Sequence, residues 1–403
     1  MTGSARRDTF VTEMTGGSKP PAGVRQLPRP VLVAVAVAGA SLATAAGVFV
    51  ATRPSFPGQG LSAAAHIAVV LVPILVGVLA LGRNPSDRFA RILVGIGLLW
   101  SATALAESPD PVLYSVGRIA GWIAELTVLY LLLAFPSGRL TTALERRMVA
   151  AGVVLLAALY LPTALLADAY PHPSPYAGCG LHCPSNGLQL TGSQAGLVDD
   201  LIRPLRETLT FLLYAALTAI LVRRVRAAGP LLRRALVPVV VIAVYRAAAF
   251  AVYTIVRVAD PSAGALRWIG DVYVLSLPLV AVSFGVGLLL RQLYASVALQ
   301  RLALQLRASA GPVELRVALG KALEDPSLRV LYWRDGDAGG WVDESGWPVA
   351  LPTSSAEVHV TEVRSEDRRI AALVQDGPPQ QDLLVLQAAA AYALVVLENG
   401  RLI

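Results

Sequence analysis

The chain has 403 residues, 55% of them hydrophobic and only 15% charged, with a mean hydropathy of +0.60. Soluble domains average about 25% charged residues, and with only 6% aromatic content the apolar residues here are mainly Ala, Leu and Val. That balance argues against a soluble β-rich core and suits helices in lipid. The net charge of +7 is unevenly placed: from Pro312 onward 8 Lys/Arg face 14 Asp/Glu, a net of −6, so the first 311 residues carry +13. A basic membrane half and an acidic soluble half are expected if the arginines sit at the cytoplasmic face. The arginines are spread over short loops and form no single patch, which argues against a nucleic-acid partner.

Residues 1–30 are rich in Gly, Ser, Thr, Pro and basic residues without apolar periodicity, and predict a disordered cytoplasmic tail. They do not read as a signal peptide, because the first apolar run begins late and has full spanning length. Eight candidate spans come next, at roughly 31–52, 63–82, 92–106, 112–135, 149–167, 205–222, 236–258 and 269–290. Each approaches the about 20 apolar residues that a crossing needs, the third being the shortest. The second, fourth and sixth loops contain RNPSDRFAR, SGRLTTALERRM and RRVRAAGPLLRRA, with three, three and five arginines. The intervening loops are poorer in basic residues. This alternation predicts a multi-pass protein of the cell membrane with both termini in the cytoplasm.

The longest outer loop, residues 168–204, contains PHPSPYAGCGLHCPSNG and the only two cysteines, Cys179 and Cys183. Outside the membrane is the oxidising side, so a disulfide between them would make a rigid lid. The alternative is a metal site using Cys179, His182 and Cys183 with His172, although paired Cys-x-x-Cys motifs are absent.

Ionisable groups inside spans are costly and face partners or a cavity. Glu125 in the fourth span and Arg246 in the seventh fall at the same depth, where an interhelical ion pair is allowed. Nearer the outer face lie His66, Arg118 and Asp271, and Arg118 with Asp271 forms a second candidate pair. Two readings stand side by side: a ligand- or proton-sensitive polar pocket open to the outside, and structural glue between helices.

The eighth span continues without a break into a polar stretch, so 268–308 predicts one long helix whose segment 291–311 links the membrane domain to the C-terminal region. Ala295, Leu299, Leu302 and Leu306 recur at spacings of four, three and four. That pattern fits a short dimer seam or an amphipathic helix packed on its own domain. Residues 312–403 predict a small α+β domain. It would start with a helix near 313–323 and continue with strands at SLRVLYWR, WVDESGWPVAL (bent at Ser345-Gly346), EVHVTEV and RIAALVQD. A final helix, DLLVLQAAAAYALVVLENGRL, would close it. The strands are expected to pair antiparallel. No GxGxxG or Walker pattern occurs. Trp333, Trp341, Trp347 and Tyr332 are candidates for core or a pocket lining, and His359 reads as a strand surface residue.

Several stretches taken in order resemble one family. They are LLLAFPSGRL closing the fourth span, the outer loop ending CPSNGLQL, PLLRRALVPV entering the seventh span, and DPSLRVLYW, GWVDESGWPVALP and RRIAALVQD. Together they resemble the multi-span membrane sensor and GAF-like domain of actinobacterial two-component histidine kinases. The resemblance covers most of the chain from about Val31 to Leu402. It implies a mainly α membrane protein of about eight transmembrane helices followed by a small cytoplasmic GAF-like domain. In such kinases the stretch LENGRL would lead into a phosphoacceptor helix and an ATP-binding domain. This sequence ends at Ile403, and none of His66, His172, His182 and His359 lies in a phosphoacceptor box. The expectation is therefore a sensor without its own phosphotransfer core and without enzyme activity. Its implied partners are the lipid bilayer and, as a homodimer or heterodimer, a full-length histidine kinase. No cofactor is implied, since the GAF-like segment has no cysteine for a bilin and nothing that specifies a nucleotide. The competing expectation is a transporter or permease with a regulatory tail, for which the intramembrane charges are the only supporting feature.

Overall fold

The computed structural model describes residues 28–52, 59–170, 174–177, 179, 183–190, 196–228, 230–262, 264–308, 316–317, 319–321, 327–334, 339–353, 358–365 and 368–376. Among them are eight helices long and apolar enough to cross a membrane. They are α1 (Arg29–Ala51), α2 (Gln59–Arg83), α3 (Arg88–Trp100), α4 (Pro111–Ala134), α5 (Ala143–Leu166), α6 (Leu197–Ala227), α7 (Pro230–Ala259) and α8 (Ala265–Ala308). The short third span is completed by a 3-10 segment, Ser101–Glu107, which continues α3 to full length.

Local chemistry fixes the helix ends. Asp87 caps α3 by accepting from the Ala90 amide, and Asp110 caps α4 by accepting from Val112 and Leu113 amides at 3.0 and 2.9 Å. Thr142 and Glu145 form a reciprocal capping box at the start of α5. The stretch between α4 and α5 is a tight reversal: a cis Phe135-Pro136 bond is followed by Gly138 at φ +71. A side chain at Gly138 would meet the backbone of Phe89 at 2.8 Å, so only glycine fits both the left-handed backbone and the close approach. Phe135 is fully buried and packs on Phe89 and Phe284 with ring centroids 5.3 and 5.2 Å away. This apolar knot sits at the α4–α5 end of the bundle.

Small residues bring the first helices together. Gly39, Ala43, Ala46 and Gly47 are buried along α1, which packs on α2. Such a stripe lets backbones approach closely where lipid offers no hydrophobic drive for association. In turn α2 packs on α3 and α8, and α8 packs on α7. Pro73, Pro238 and Pro278 lie inside α2, α7 and α8 without ending them. In α5 the π-turn Leu156–Tyr160 precedes Pro162, and another π-turn, Leu197–Ile202, opens α6.

The expected long helix is observed: α8 runs 44 residues from Ala265 to Ala308. Its emergence from the apolar run is braced by the Arg234 guanidinium on the Tyr294 ring, 4.5 Å from the centroid. The backbone through Ala295, Leu299, Leu302 and Leu306 is helical, while the seam's side chains lie outside the described residues.

After α8 come four strands, β1 (Arg329–Arg334), β2 (Gly340–Val342), β3 (Val358–Ser365) and β4 (Arg368–Asp376), in one antiparallel sheet of order β2-β1-β4-β3. All four expected strand regions are present. The stretch WVDESGWPVAL, however, is a hairpin rather than one bent strand. Asp343 accepts from the Ser345 and Trp347 amides, Gly346 takes φ +84, and the Val349 amide returns to the Trp341 carbonyl. A carboxylate two residues before a turn amide mimics a backbone turn and reverses the chain. Trp341 is buried, Trp333 meets it edge-on across the ladder at 5.1 Å, and Trp347 is exposed. The expected helices at 313–323 and 382–402 lie largely and wholly outside the described residues.

Candidate functional site: a buried ion pair beside an arginine-lined cavity

Glu125 projects from the middle of α4 and Arg246 from the middle of α7. The Arg246 Nη2 donates to both carboxylate oxygens of Glu125 at 2.5 Å, realising the pair expected from depth alone. Arg246 is completely buried, whereas the Glu125 side chain keeps 23% of its surface accessible. Three tyrosines complete the cluster. Tyr176, Tyr214 and Tyr273 all donate to the Glu125 carboxylate, Tyr273 at 2.8 Å. Arg246 Nη1 donates to Ser276 Oγ, and its guanidinium lies 4.5 Å from the Tyr273 ring centroid. A buried charge survives only when its partners are charge-matched and its remaining hydrogen-bonding capacity is met. Here four helices and one loop supply those partners.

The loop member is Tyr176, whose side chain is buried although it belongs to the stretch between α5 and α6. Burial first, and then the Glu125 charge beside it, push its hydroxyl well above the ordinary tyrosine value. One device closes part of this loop on itself and another ties it to the helices. Cys179 and Cys183 are joined in a disulfide. Asn186 accepts from Ser115 Oγ on α4 and donates to the carbonyls of Ala164 and Ala167 at 2.7 Å. The metal alternative for Cys179, His182 and Cys183 is overturned, because both sulfurs are consumed in the bond. His172 and His182 lie outside the described residues, and among those described no group of three His, Cys, Asp or Glu could hold a metal ion.

The expected pairing of Arg118 with Asp271 is also corrected. Arg118 Nη1 donates to Tyr114 one turn away on α4, and its guanidinium lies over the Tyr170 ring. Asp271 instead experiences the charge of Arg267, one turn back on its own helix. Equal depth did not make them neighbours. His66 is buried and its Nδ1 meets the Ser62 carbonyl at 2.9 Å.

Beside the ion pair lies a cavity of about 650 Å³, counting its open mouth. Its wall includes Arg118, Arg206, Arg257, Glu207, Tyr253 and Tyr176, together with Glu125 itself. These come from the α4 start, the α6 start, the α7 end and the loop, so the cavity sits at the disulfide end of the bundle. Arg257 pairs with Glu207 at 2.5 Å, and Arg203 reaches the same carboxylate at 3.3 Å. Arg206 donates to Thr163 Oγ1 and stacks over Tyr160 at 4.8 Å. Arg206 and Arg257 carried no site signal in the sequence, where arginines flanking a span read as topology markers. Tyr214, Tyr273 and Ser276 were missed as well. Their signal was a hydroxyl within an apolar span, in the middle of the sixth span for Tyr214 and near the start of the eighth for Tyr273 and Ser276.

No family model, curated protein or solved structure matches this chain.

Proposed function

We propose that the protein is a membrane signal-transduction protein of the two-component sensor type. A change in the bundle would pass along α8 to the four-stranded sheet region, taken as a GAF-like domain on the cytoplasmic side. One observation carries the proposal: α8 contributes Tyr273 and Ser276 to the ion-pair cluster and runs on as the same helix to Ala308. A stimulus that alters the cluster therefore acts directly on the element that leaves the membrane domain. Helices with two packing arrangements are common vehicles for such a change. Output would pass through a dimer, either of this chain or with a full-length histidine kinase. No phosphotransfer by this chain itself is proposed.

The test is distance measurement by electron spin resonance in nanodiscs. Spin labels at Gln292 and Ser296, both exposed on α8, are each paired with one at Arg233 on α7. Glu125→Gln is expected to shift the distance distributions. Unchanged distributions in a correctly folded variant would overturn coupling between the cluster and α8. The rival reading, a transporter, draws on the polar cavity within the bundle. Specific solute flux in proteoliposomes, lost on Arg246→Ala, would favour it over the sensor.

A further inference from the structure

Arg206, near the start of α6, carries a buried charge that its protein neighbours do not answer. The residue is 5% exposed. Its Nη1 donates to Thr163 Oγ1 at 3.1 Å, and its guanidinium lies over the Tyr160 ring. Both partners are neutral. Glu207, next in sequence, makes its ion pairs with Arg257 and Arg203 instead. Among the described residues no carboxylate comes within ion-pair reach of Arg206. A buried cation without a counter-charge is costly.

The unused part of the group is accessible. Arg206 lines the cavity beside the ion pair. Its Nε and Nη2 make no hydrogen bond among the described residues, yet neither belongs to the buried atoms sealed off without a partner. These two nitrogens form the side of the guanidinium that presents two parallel N–H groups. That edge takes a carboxylate as a bidentate pair. The cavity, open at its mouth, has room for several waters, and so for an anion of about four to six heavy atoms. Trp122 and Phe250 in the same wall offer apolar surface to a short carbon chain.

The surrounding charges limit the ligand to one negative charge. Glu125 is matched by Arg246 and Glu207 by Arg257, which leaves Arg206 over. Arg118 has partners of its own in Tyr114 and Tyr170, and the balance does not depend on it. A second negative charge on the ligand would meet the carboxylates of Glu125 and Glu207 in the same wall. We infer that this cavity binds a short monocarboxylate, with its two oxygens on the Nε–Nη2 edge of Arg206 and its carbon chain in the cavity. A halide matches the charge but not the two-pronged edge. Binding of this kind does not rest on the sensor reading, since it is measured on the purified chain.

The test is a scintillation proximity assay with radiolabelled acetate on the full chain in neutral detergent. Unlabelled propionate, chloride and sulfate are added as competitors at equal ionic strength. Saturable acetate binding is expected, displaced by propionate at least about tenfold more effectively than by chloride or sulfate, the worth of one charge-assisted hydrogen bond. Arg206→Gln, its fold checked by circular dichroism, should weaken acetate by about tenfold or more for the same reason. Arg206→Lys should fall between that variant and the wild-type chain, because it keeps the charge and loses the fork. Absence of saturable acetate binding to the wild-type chain would overturn the proposal without any variant. So would chloride displacing acetate as well as propionate does, which would make the site one for any small anion. A folded Arg206→Gln chain that binds acetate like the wild type would overturn the assignment to Arg206.

Discussion

Removing the Glu125 carboxylate gives the sharpest test of the cluster. In Glu125→Ala the Arg246 guanidinium stays where it is, completely buried, with no carboxylate to face. Breaking a buried pair from one side costs about 3–5 kcal/mol, because a buried charge is left uncompensated. The hydroxyls of Tyr176, Tyr214 and Tyr273 lose their acceptor as well. An orphaned buried donor costs about 1–3 kcal/mol, but Tyr214 and Tyr273 already lie 3.3 Å apart and can turn to each other. The net loss is therefore about 4 kcal/mol or somewhat more, dominated by the charge. Adding Arg246→Ala removes that charge. The double variant should recover about 2 kcal/mol relative to Glu125→Ala alone. Unfolding titrations in mixed detergent micelles, followed by far-ultraviolet circular dichroism, measure the wild-type chain and both variants. A double variant no more stable than Glu125→Ala would refute the idea that the pair is a matched, mutually dependent unit.

Three further outcomes are expected. Replacing Cys179 and Cys183 together with Ala should lower stability by about 2 kcal/mol, the loop-closure entropy of so short a ring; a reductant should do the same to the wild-type chain and nothing more to the variant. The raised pKa of Tyr176 favours the neutral hydroxyl in the folded state. Its contribution is complete below the ordinary tyrosine value of 10.0 and is lost as pH climbs through the higher folded value. Melting temperature should therefore fall on the alkaline side of pH 10, and Tyr176→Phe should flatten that fall; an unchanged alkaline slope would contradict it. In the sheet region, Gly346→Ala places a side chain at φ +84 and should destabilise the hairpin by about 1 kcal/mol, seen as faster amide exchange at Trp347 and Val349.

The membrane half was largely legible because its signals are additive over long windows. Twenty apolar residues and alternating arginine-rich loops mark spans whatever their neighbours are. The Glu125–Arg246 pair was legible for a related reason: opposite charges in mid-span have few stable arrangements apart from each other. The Arg118–Asp271 pairing failed because depth is one coordinate of three. Arg118 found the Tyr114 hydroxyl and the Tyr170 ring, and the charge felt by Asp271 is that of Arg267 on its own helix. Tyr176 could not be read at all, since a loop tyrosine gains its role only when the chain folds back between helices. Arg206 and Arg257 were hidden by their position, because an arginine at a span's edge carries the same sequence signal whether it points to water or into a cavity. In the sheet region, alternation gave the strands, but Asp343 and Gly346 reversed the chain where a mere bend was expected.

The position of the ion-pair cluster along α8 sets the mechanics of that helix. Tyr273 and Ser276 hold it near its start, Phe284 lies in the aromatic knot and Tyr294 carries the Arg234 guanidinium, so the helix is held over that whole length. The arm beyond the last of these contacts runs from Tyr294 to Ala308, about 20 Å at 1.5 Å per residue. Hydrogen bonds at the level of Tyr273 resist sliding, and packing down to Tyr294 resists tilting. A tilt of about 5° at Tyr294 would carry the far end sideways by only roughly 2 Å, whereas a rotation of the helix about its own axis would reach Ala308 undiminished.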